Sequence, residues 1–303
     1  MIDAGDLRGV LVVTTGSKAA DLRRGSERLP GRKGRLDRTA YLFTPIAYVE
    51  FLRAAGESLG DRTLPAYLLS GGAPVACAEV AATGRLPEYV LATARDWVYG
   101  EAAAAGRSRA SVLAVLQCLH RFGGTPVGQA KVAREAGLAN NTVAAGYIEL
   151  LSDLQCVGQA LAWDPSRRIR LRRRPAKFPF INLLVAVASD PSSPRTPAEI
   201  EALPPEAQGR LREWLVAQEL WRRAAIRGDE TPEEMAYFQA GEHEIDFVVG
   251  RDEFVEVKGG GAGPSEFAWF ARAFPRGRLT VISRQPFETR QIRGVTLESF
   301  LGE

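Results

Sequence analysis

The sequence predicts an α+β chain, and three observations carry that reading. Apolar residues recur at helical spacing through most of the first half. Between Ser108 and Arg174 the order is helix, helix, turn, helix and hairpin. In the C-terminal third a long helix gives way to short strands rich in Val, Ile and Phe, parted by tight turns. At 303 residues, with 46% apolar and 25% charged side chains, the chain is long enough for two or three units that each bury a core.

Each element follows from local pattern. Arg8 to Ser17 reads as a buried strand ending in a small polar turn, and Leu29-Pro30-Gly31-Arg32 as a loop. Residues 45–55, 62–70 and 86–105 read as helices parted by stops such as Gly71-Gly72. Ser111 to Phe122 is an apolar-faced helix stopped by Gly123-Gly124. Val127 to Glu135 is a second, with Gly137 at its exit. Asn140, Asn141 and Thr142 can cap a third helix running to about Leu154, with Val143, Tyr147, Ile148, Leu151 and Leu154 on one face. Gln155 to Ala162 and Arg168 to Arg172 read as strands around Asp164-Pro165-Ser166, completing a winged helix-turn-helix. The stretch Ser189 to Pro197 marks a boundary or exposed linker. Beyond it come a helix (Gln208 to Arg223), strands (Met235–Gln239, His243–Val249, Glu253–Lys258), a helix (Ser265–Phe274), a strand (Arg278–Ser283) and a last short helix (Leu297–Leu301). The expected division is 1–106, 107–188 and 189–303.

Composition excludes several classes. No apolar run approaches the ~18 residues of a membrane span, so no membrane partner is expected. Three scattered cysteines and two histidines argue against a zinc site or a disulfide framework, and a reducing cytoplasm is the simple inference. The net charge of +3 hides an asymmetry. Residues 107–177 hold 12 Lys and Arg against 4 Asp and Glu, whereas residues 199–303 hold 13 against 19. One module suited to phosphate and another suited to cations is the pattern this implies.

The chemistry concentrates between Glu244 and Lys258. Strand residues two apart share a face, so Glu256 and Lys258 point the same way, and the turn Gly250-Arg251-Asp252 brings Asp246 alongside. Two carboxylates meeting at one spot repel unless a hard dication joins them. The expectation is a magnesium or manganese ion on Asp246 and Glu256, with the Val257 carbonyl as a further ligand. Lys258 would position or deprotonate a water, or offset charge on a phosphate. Glu219 on the preceding helix has two readings, support for the metal or an exposed helix residue paired with Arg222 or Arg223. The bland alternative for the whole stretch is a solvated hairpin.

In a winged helix the third helix enters the major groove and the hairpin touches backbone. Asn140, Asn141 and Thr142 are small polar groups able to reach base edges or phosphate. Arg168, Arg170, Arg172, Arg173 and Arg174 form a cationic strip along the wing and its exit. Alternation with Ile169 and Leu171 fits a strand with one solvent face. DNA is the expected partner, bound with strong salt dependence. A protein-docking winged helix is the rival reading.

These residues together resemble the bacterial and archaeal AAA-type ATPases that end in a winged helix and a PD-(D/E)XK restriction-endonuclease-like α/β domain. Val12 to Ser17 is similar to that family's sensor-1 strand and Thr-Gly-Ser turn, Leu29 to Arg32 to its Pro-Gly-Arg loop, and Phe43 to Leu52 to the segment after it. Gly241 to Val248 and Val255 to Lys258 are similar to the nuclease-like end. The resemblance implies a truncated AAA remnant with helical lid before the winged helix. No Gly-x(4)-Gly-Lys-[Ser/Thr] is present and no apolar strand ends in paired acids, so ATP binding by this chain alone is not expected. A P-loop partner chain or self-association would have to complete a nucleotide site, toward which Arg32 could act as an arginine finger. The expected activity is metal-dependent cleavage of DNA phosphodiesters. The alternatives are a non-catalytic DNA-binding adaptor and an ATPase subunit completed by that partner.

Overall fold

The computed structural model describes Val13, Thr15, Gly16 and residues 38–303. Val13, Thr15 and Gly16 are exposed and belong to no helix or strand; the rest of the expected strand Arg8–Ser17 and the loop Leu29–Arg32 lie outside the described residues. The chain is mixed α+β with two mixed sheets.

Seven helices open the described chain: α1 (Tyr48–Leu59), α2 (Thr63–Ser70), α3 (Pro74–Thr83), α4 (Glu88–Ala104), α5 (Arg109–Arg121), α6 (Gln129–Glu135) and α7 (Asn141–Asp153). Asn140 caps α7 as its sequence predicts, its side chain accepting from the Val143 N–H at 3.0 Å. The predicted helix 86–105 begins at Glu88, behind a proline at its N-cap, and α3 fills the gap after Gly72. Gly71 ends α2 at φ +62°, and a Cβ there would meet the Leu184 amide nitrogen at 2.5 Å, so only glycine fits both the turn and the approach.

The wing follows as β1 (Gln159–Asp164) and β2 (Ile169–Leu171), paired antiparallel. β2 is three residues long and its Ile169 is 46% exposed. The expected face alternation is therefore weak there: among the described residues Ile169 and Arg170 are both exposed and only Leu171 is partly covered. Next come α8 (Leu183–Ser189), α9 (Pro197–Glu201) and the long α10 (Pro205–Arg227). The Ser189–Pro197 stretch is no loose tether. Ser189 and Pro197 are buried, the Arg195 carbonyl accepts from the Leu86 N–H, and Thr196 with Glu199 forms a capping box.

β3 (Glu234–Ala240) runs parallel to β1, and β4 (His243–Ile245) returns antiparallel to β3, giving a first sheet in the order β2-β1-β3-β4. That sheet crosses residue 189 without interruption. The predicted strand His243–Val249 is broken at Asp246. Beyond the bend, β5 (Phe247–Val249) joins a second sheet with β6 (Glu253–Val257), β7 (Arg278–Ile282), β8 (Phe287–Glu288) and β9 (Ile292–Val295), in the order β5-β6-β7-β9-β8. β6, β7 and β9 are parallel to one another. The short helices α11 (Phe270–Ala273) and α12 (Leu297–Gly302) complete the chain.

Two apolar cores explain the run Phe247-Val248-Val249. Phe247 and Val255 face a large core that extends from Tyr48 to Leu301, while Val248 and Phe254 face a smaller one with Phe270, Phe274 and Leu279. The second sheet is thus covered on both sides, which is why its strands lack polar alternation. The large core takes in side chains of all three expected parts, and Gln218 sews it together. Its carboxamide oxygen accepts from Leu183 N–H and its nitrogen donates to the Gly71 carbonyl, joining α10 to α8 and α2.

Candidate functional site

The bend at Asp246 is where the two sheets part, and it turns this carboxylate inward to 8% exposure. Its Oδ2 accepts from the Val257 N–H at 2.9 Å, and its own N–H donates to Glu256 Oε2 at 3.1 Å. Adjacent strands therefore tie the two acids to each other through backbone, as the hairpin spacing predicts. Glu256 is 3% exposed, and its Oε1 lies 2.6 Å from Lys258 Nζ. Lys258 sits just past β6, half-exposed, with its amide bonded to the Ile282 carbonyl. Asp246, Glu256, Val257 and Lys258 are thus brought together.

Glu219 is not among them. It is buried, and it accepts two bonds from Arg222 at 2.7 and 2.8 Å and one from Arg223 at 2.7 Å. Arg223 also lies over the Phe300 ring, so this cluster pins α10 to α12. The metal-supporting role expected of Glu219 is corrected here. Six residues along a helix turn through about 600°, and the glutamate that faces Asp246 is Glu213. Its nearness to Gly124 is part of the fit, since a Cβ on Gly124 would meet Glu213 Oε2 at 2.4 Å.

The largest omission of sequence reasoning is Lys177. Its side chain is 1% exposed, with Nζ 2.8 Å from Asp246 Oδ1, 2.5 Å from Glu244 Oε1 and 3.7 Å from Glu213 Oε1. Backbone bonds of 2.9 Å in both directions with Ala160 hold Lys177 beside β1. A signal existed in the sequence: Lys177 is the one charged residue in the run Pro175-Ala-Lys-Phe-Pro-Phe-Ile, where a lone charge needs partners.

Electrostatics follow from this crowding. Burial pulls the Lys177 amine's pKa down, but the carboxylates of Asp246, Glu213 and Glu244 overcome it and leave it raised. Burial, with the Asp246 charge beside it, pushes the Glu213 carboxyl up to about 8 against the opposing pull of Lys177. The same two causes bring Glu256 to about 7, although Lys258 and the Asp246 N–H favour its ionised form. Burial lowers the Lys258 amine and Glu256 more than restores it, so it too is raised. Four carboxyl groups thus crowd two ammonium groups, and Glu213 keeps its proton at neutral pH.

That imbalance bears on whether a cation fits. Among the described residues no group of three or more His, Cys, Asp or Glu side chains forms a ready metal cage. Magnesium does not require one, since it takes one or two carboxylates and completes its shell with water and phosphate oxygens. Asp246 and Glu256 offer that pair, and each carboxylate oxygen keeps a lone pair beyond the bond it already accepts. Glu213 Oε1 is buried with no hydrogen-bond partner. An orphaned buried oxygen, and carboxyls held above their ordinary range by burial and by one another, are what a hard cation relieves, so the donor set fits one.

The residues expected to touch DNA are placed on the surface. Asn140, Asn141 and Thr142 are exposed, although the Asn140 side chain is committed to its cap. Arg168, Arg170, Arg172, Arg173 and Arg174 are exposed as well. Arg170 and Arg172 reach Glu234 at 3.2 and 2.8 Å, and Arg168 lies 3.8 Å from Asp252, so part of the strip is already neutralised by the C-terminal region. The three cysteines are free and buried, and His120 is buried 3.5 Å from Asp190. No described helix is long and apolar enough to cross a membrane. No protein family model, curated protein or solved structure matches this chain.

Proposed function

We propose that the chain is a metal-dependent phosphodiesterase acting on DNA, with Asp246 and Glu256 holding magnesium or manganese. The observation that carries this reading is the gathering of two backbone-linked carboxylates and a half-exposed amine at one bend between two sheets. When bound, the metal would polarise a phosphoryl oxygen and acidify a water. Lys258 stands beside Glu256 at the solvent edge, where its ammonium can meet the developing charge on a phosphate. The buried backs of Asp246 and Glu256 keep water from the inner side. The exposed first turn of α7 and the arginines of the wing and its exit would hold the duplex by its backbone. The resemblance of Gly241–Val248 and Val255–Lys258 to PD-(D/E)XK nucleases supports the same reaction.

One observation favours a second reading, a DNA-binding scaffold without catalysis: the Lys177 ammonium already lies on Asp246. Cleavage of plasmid and oligonucleotide DNA with added Mg or Mn separates the two. The phosphodiesterase reading expects metal-dependent cleavage that falls at least about a hundredfold in each of Glu256→Gln and Lys258→Ala, a rise of about 2.7 kcal/mol in barrier. Salt-sensitive DNA binding without cleavage under any metal would leave the scaffold. Cleavage that survives both substitutions would place the chemistry elsewhere.

A further inference from the structure

Lys177 carries a charge where charge is expensive. An ammonium has three protons and needs three acceptors, and at 1% exposure water cannot provide them. Asp246 at the bend and Glu244 on β4 take two of the protons at 2.8 and 2.5 Å, and Glu213 on α10 stands 3.7 Å away, close enough to act by charge but beyond a hydrogen bond. None of these contacts comes from the wing itself, yet the wing carries Lys177. Its backbone is clamped to Ala160 of β1, and Ala176 beside it is bonded in both directions to Val127 ahead of α6. The amine is therefore fixed from behind by the winged helix and from in front by the acidic nest.

Resting on the phosphodiesterase reading, we propose that Lys177 is a positioning residue that serves as the fixed cation of a one-metal site. Its ammonium holds the Asp246 carboxylate in place and stands where a second divalent ion would otherwise lie. Charge sets an upper bound on this count. Even with every carboxyl ionised, Glu213, Glu244, Asp246 and Glu256 bring no more than four negative charges against the two positive ones of Lys177 and Lys258. One divalent ion is then the most the nest can neutralise, and a second would leave a buried excess of positive charge.

The geometry points to the same division. Oδ1 of Asp246 is taken by Lys177, whereas Oδ2 lies on the side of Val257 and Glu256, where the other acid and Lys258 stand. A metal joining Asp246 to Glu256 has a place. A second one bridging Asp246 to Glu213 or Glu244 would have to displace the ammonium. Nucleases that use two metals need that second ion to steady the leaving oxygen. Here a fixed amine sits in its stead, and it is delivered by the module that would hold the DNA.

The test is the number of manganese ions bound per chain, measured on the full-length, metal-stripped protein by calorimetric titration with Mn alone. Free Mn is counted in parallel by electron paramagnetic resonance. The wild type and Lys177→Arg are expected to bind one ion each, Glu256→Gln to lose it, and Lys177→Met to take up a second. Two ions on the wild type would overturn the role of Lys177 while leaving the phosphodiesterase reading intact. No ion on the wild type but one on Lys177→Met would mean that the amine replaces the only metal, which overturns both. A single ion on a folded Lys177→Met also overturns the proposal. Should that variant fail to fold, the counts for wild type and Lys177→Arg decide alone, since they need no loss of charge.

Discussion

Two sets of ion pairs meet the same first sheet and obey opposite rules. At its outer edge Arg170 and Arg172 reach Glu234 across exposed strands, with Arg172 71% exposed. At its inner side Lys177, from the same basic run, is enclosed by Asp246, Glu244 and Glu213. Exposed pairs contribute about 0–1 kcal/mol and are screened by salt, so an arginine there exchanges a carboxylate for a phosphate at small cost. Buried pairs are different in kind. Removing one partner strands the other in a medium that solvates it poorly. The outer set is suited to a reversible partner, and the inner set to holding a geometry.

The comparison is broken most directly at Lys177. Lys177→Ala should destabilise the fold by about 3–5 kcal/mol, because three carboxylates lose their shared counter-ion. Thermal or urea denaturation reads this. A loss under 1 kcal/mol would mean that the inner cluster is as dispensable as the outer one.

The next effect is a pH dependence. With its carboxyl raised to about 8, Glu213 keeps a proton in the folded state that an ordinary unfolded carboxyl, near 4.5, has released. Between those values the folded state binds more protons, so stability falls as pH rises, with a slope approaching 1.4 kcal/mol per pH unit from this one group. Glu256, at about 7, adds to the same fall over the lower part of the window. Above pH 8 the slope vanishes. Glu213→Gln should flatten it, and added Mg should lift stability more at pH 8 than at pH 6. A stability curve rising from pH 5 to 8 in metal-free buffer for the wild type, with no change in Glu213→Gln, would remove the basis for a strained acidic nest.

Glu219 sharpens the contrast from within the same helix. It is as buried as Glu256, but its partners Arg222 and Arg223 satisfy it within three and four residues. Glu219→Gln should cost about 2 kcal/mol, since the arginines keep a route to solvent, and should leave Mn uptake unchanged. Loss of Mn uptake with unchanged stability would restore the role its sequence position had promised.

What was legible in the sequence divides along the same line. The cap of α7, the tight turn before β6 and the shared face of Glu256 and Lys258 depend on residues a few positions apart, and local pattern found them. The bend that splits β4 from β5 was not legible, because Ile245 and Phe247 on either side of Asp246 read as one apolar strand. Lys177 and Glu213 were missed for another reason. Their meeting requires the Ala160–Lys177 bridge, the parallel pairing of β1 with β3 and the rotation of α10, none of which leaves a local trace. β8 and β9 escaped as well, being two and four residues long and lacking alternation. The charge asymmetry did register at the level of whole segments. It located a basic module and an acidic one but not the single lysine that the first lends to the second.

The smallest expected effect lies at the outer edge. Arg172→Ala removes a side chain bonded to Glu234 at 2.8 and 3.0 Å, yet Arg170 still reaches that carboxylate. Stability should therefore change by no more than about 0.5 kcal/mol. DNA binding should weaken evenly across sequences, and the slope of log affinity against log salt should shrink by about one, the signature of a single lost phosphate contact. Fluorescence anisotropy at several salt concentrations measures both. If the slope is unaltered while stability falls by more than 1 kcal/mol, the arginine belongs with Lys177 as part of the fold. The wing would then be a brace for the acidic nest, and the DNA contact would have to be sought on the first turn of α7.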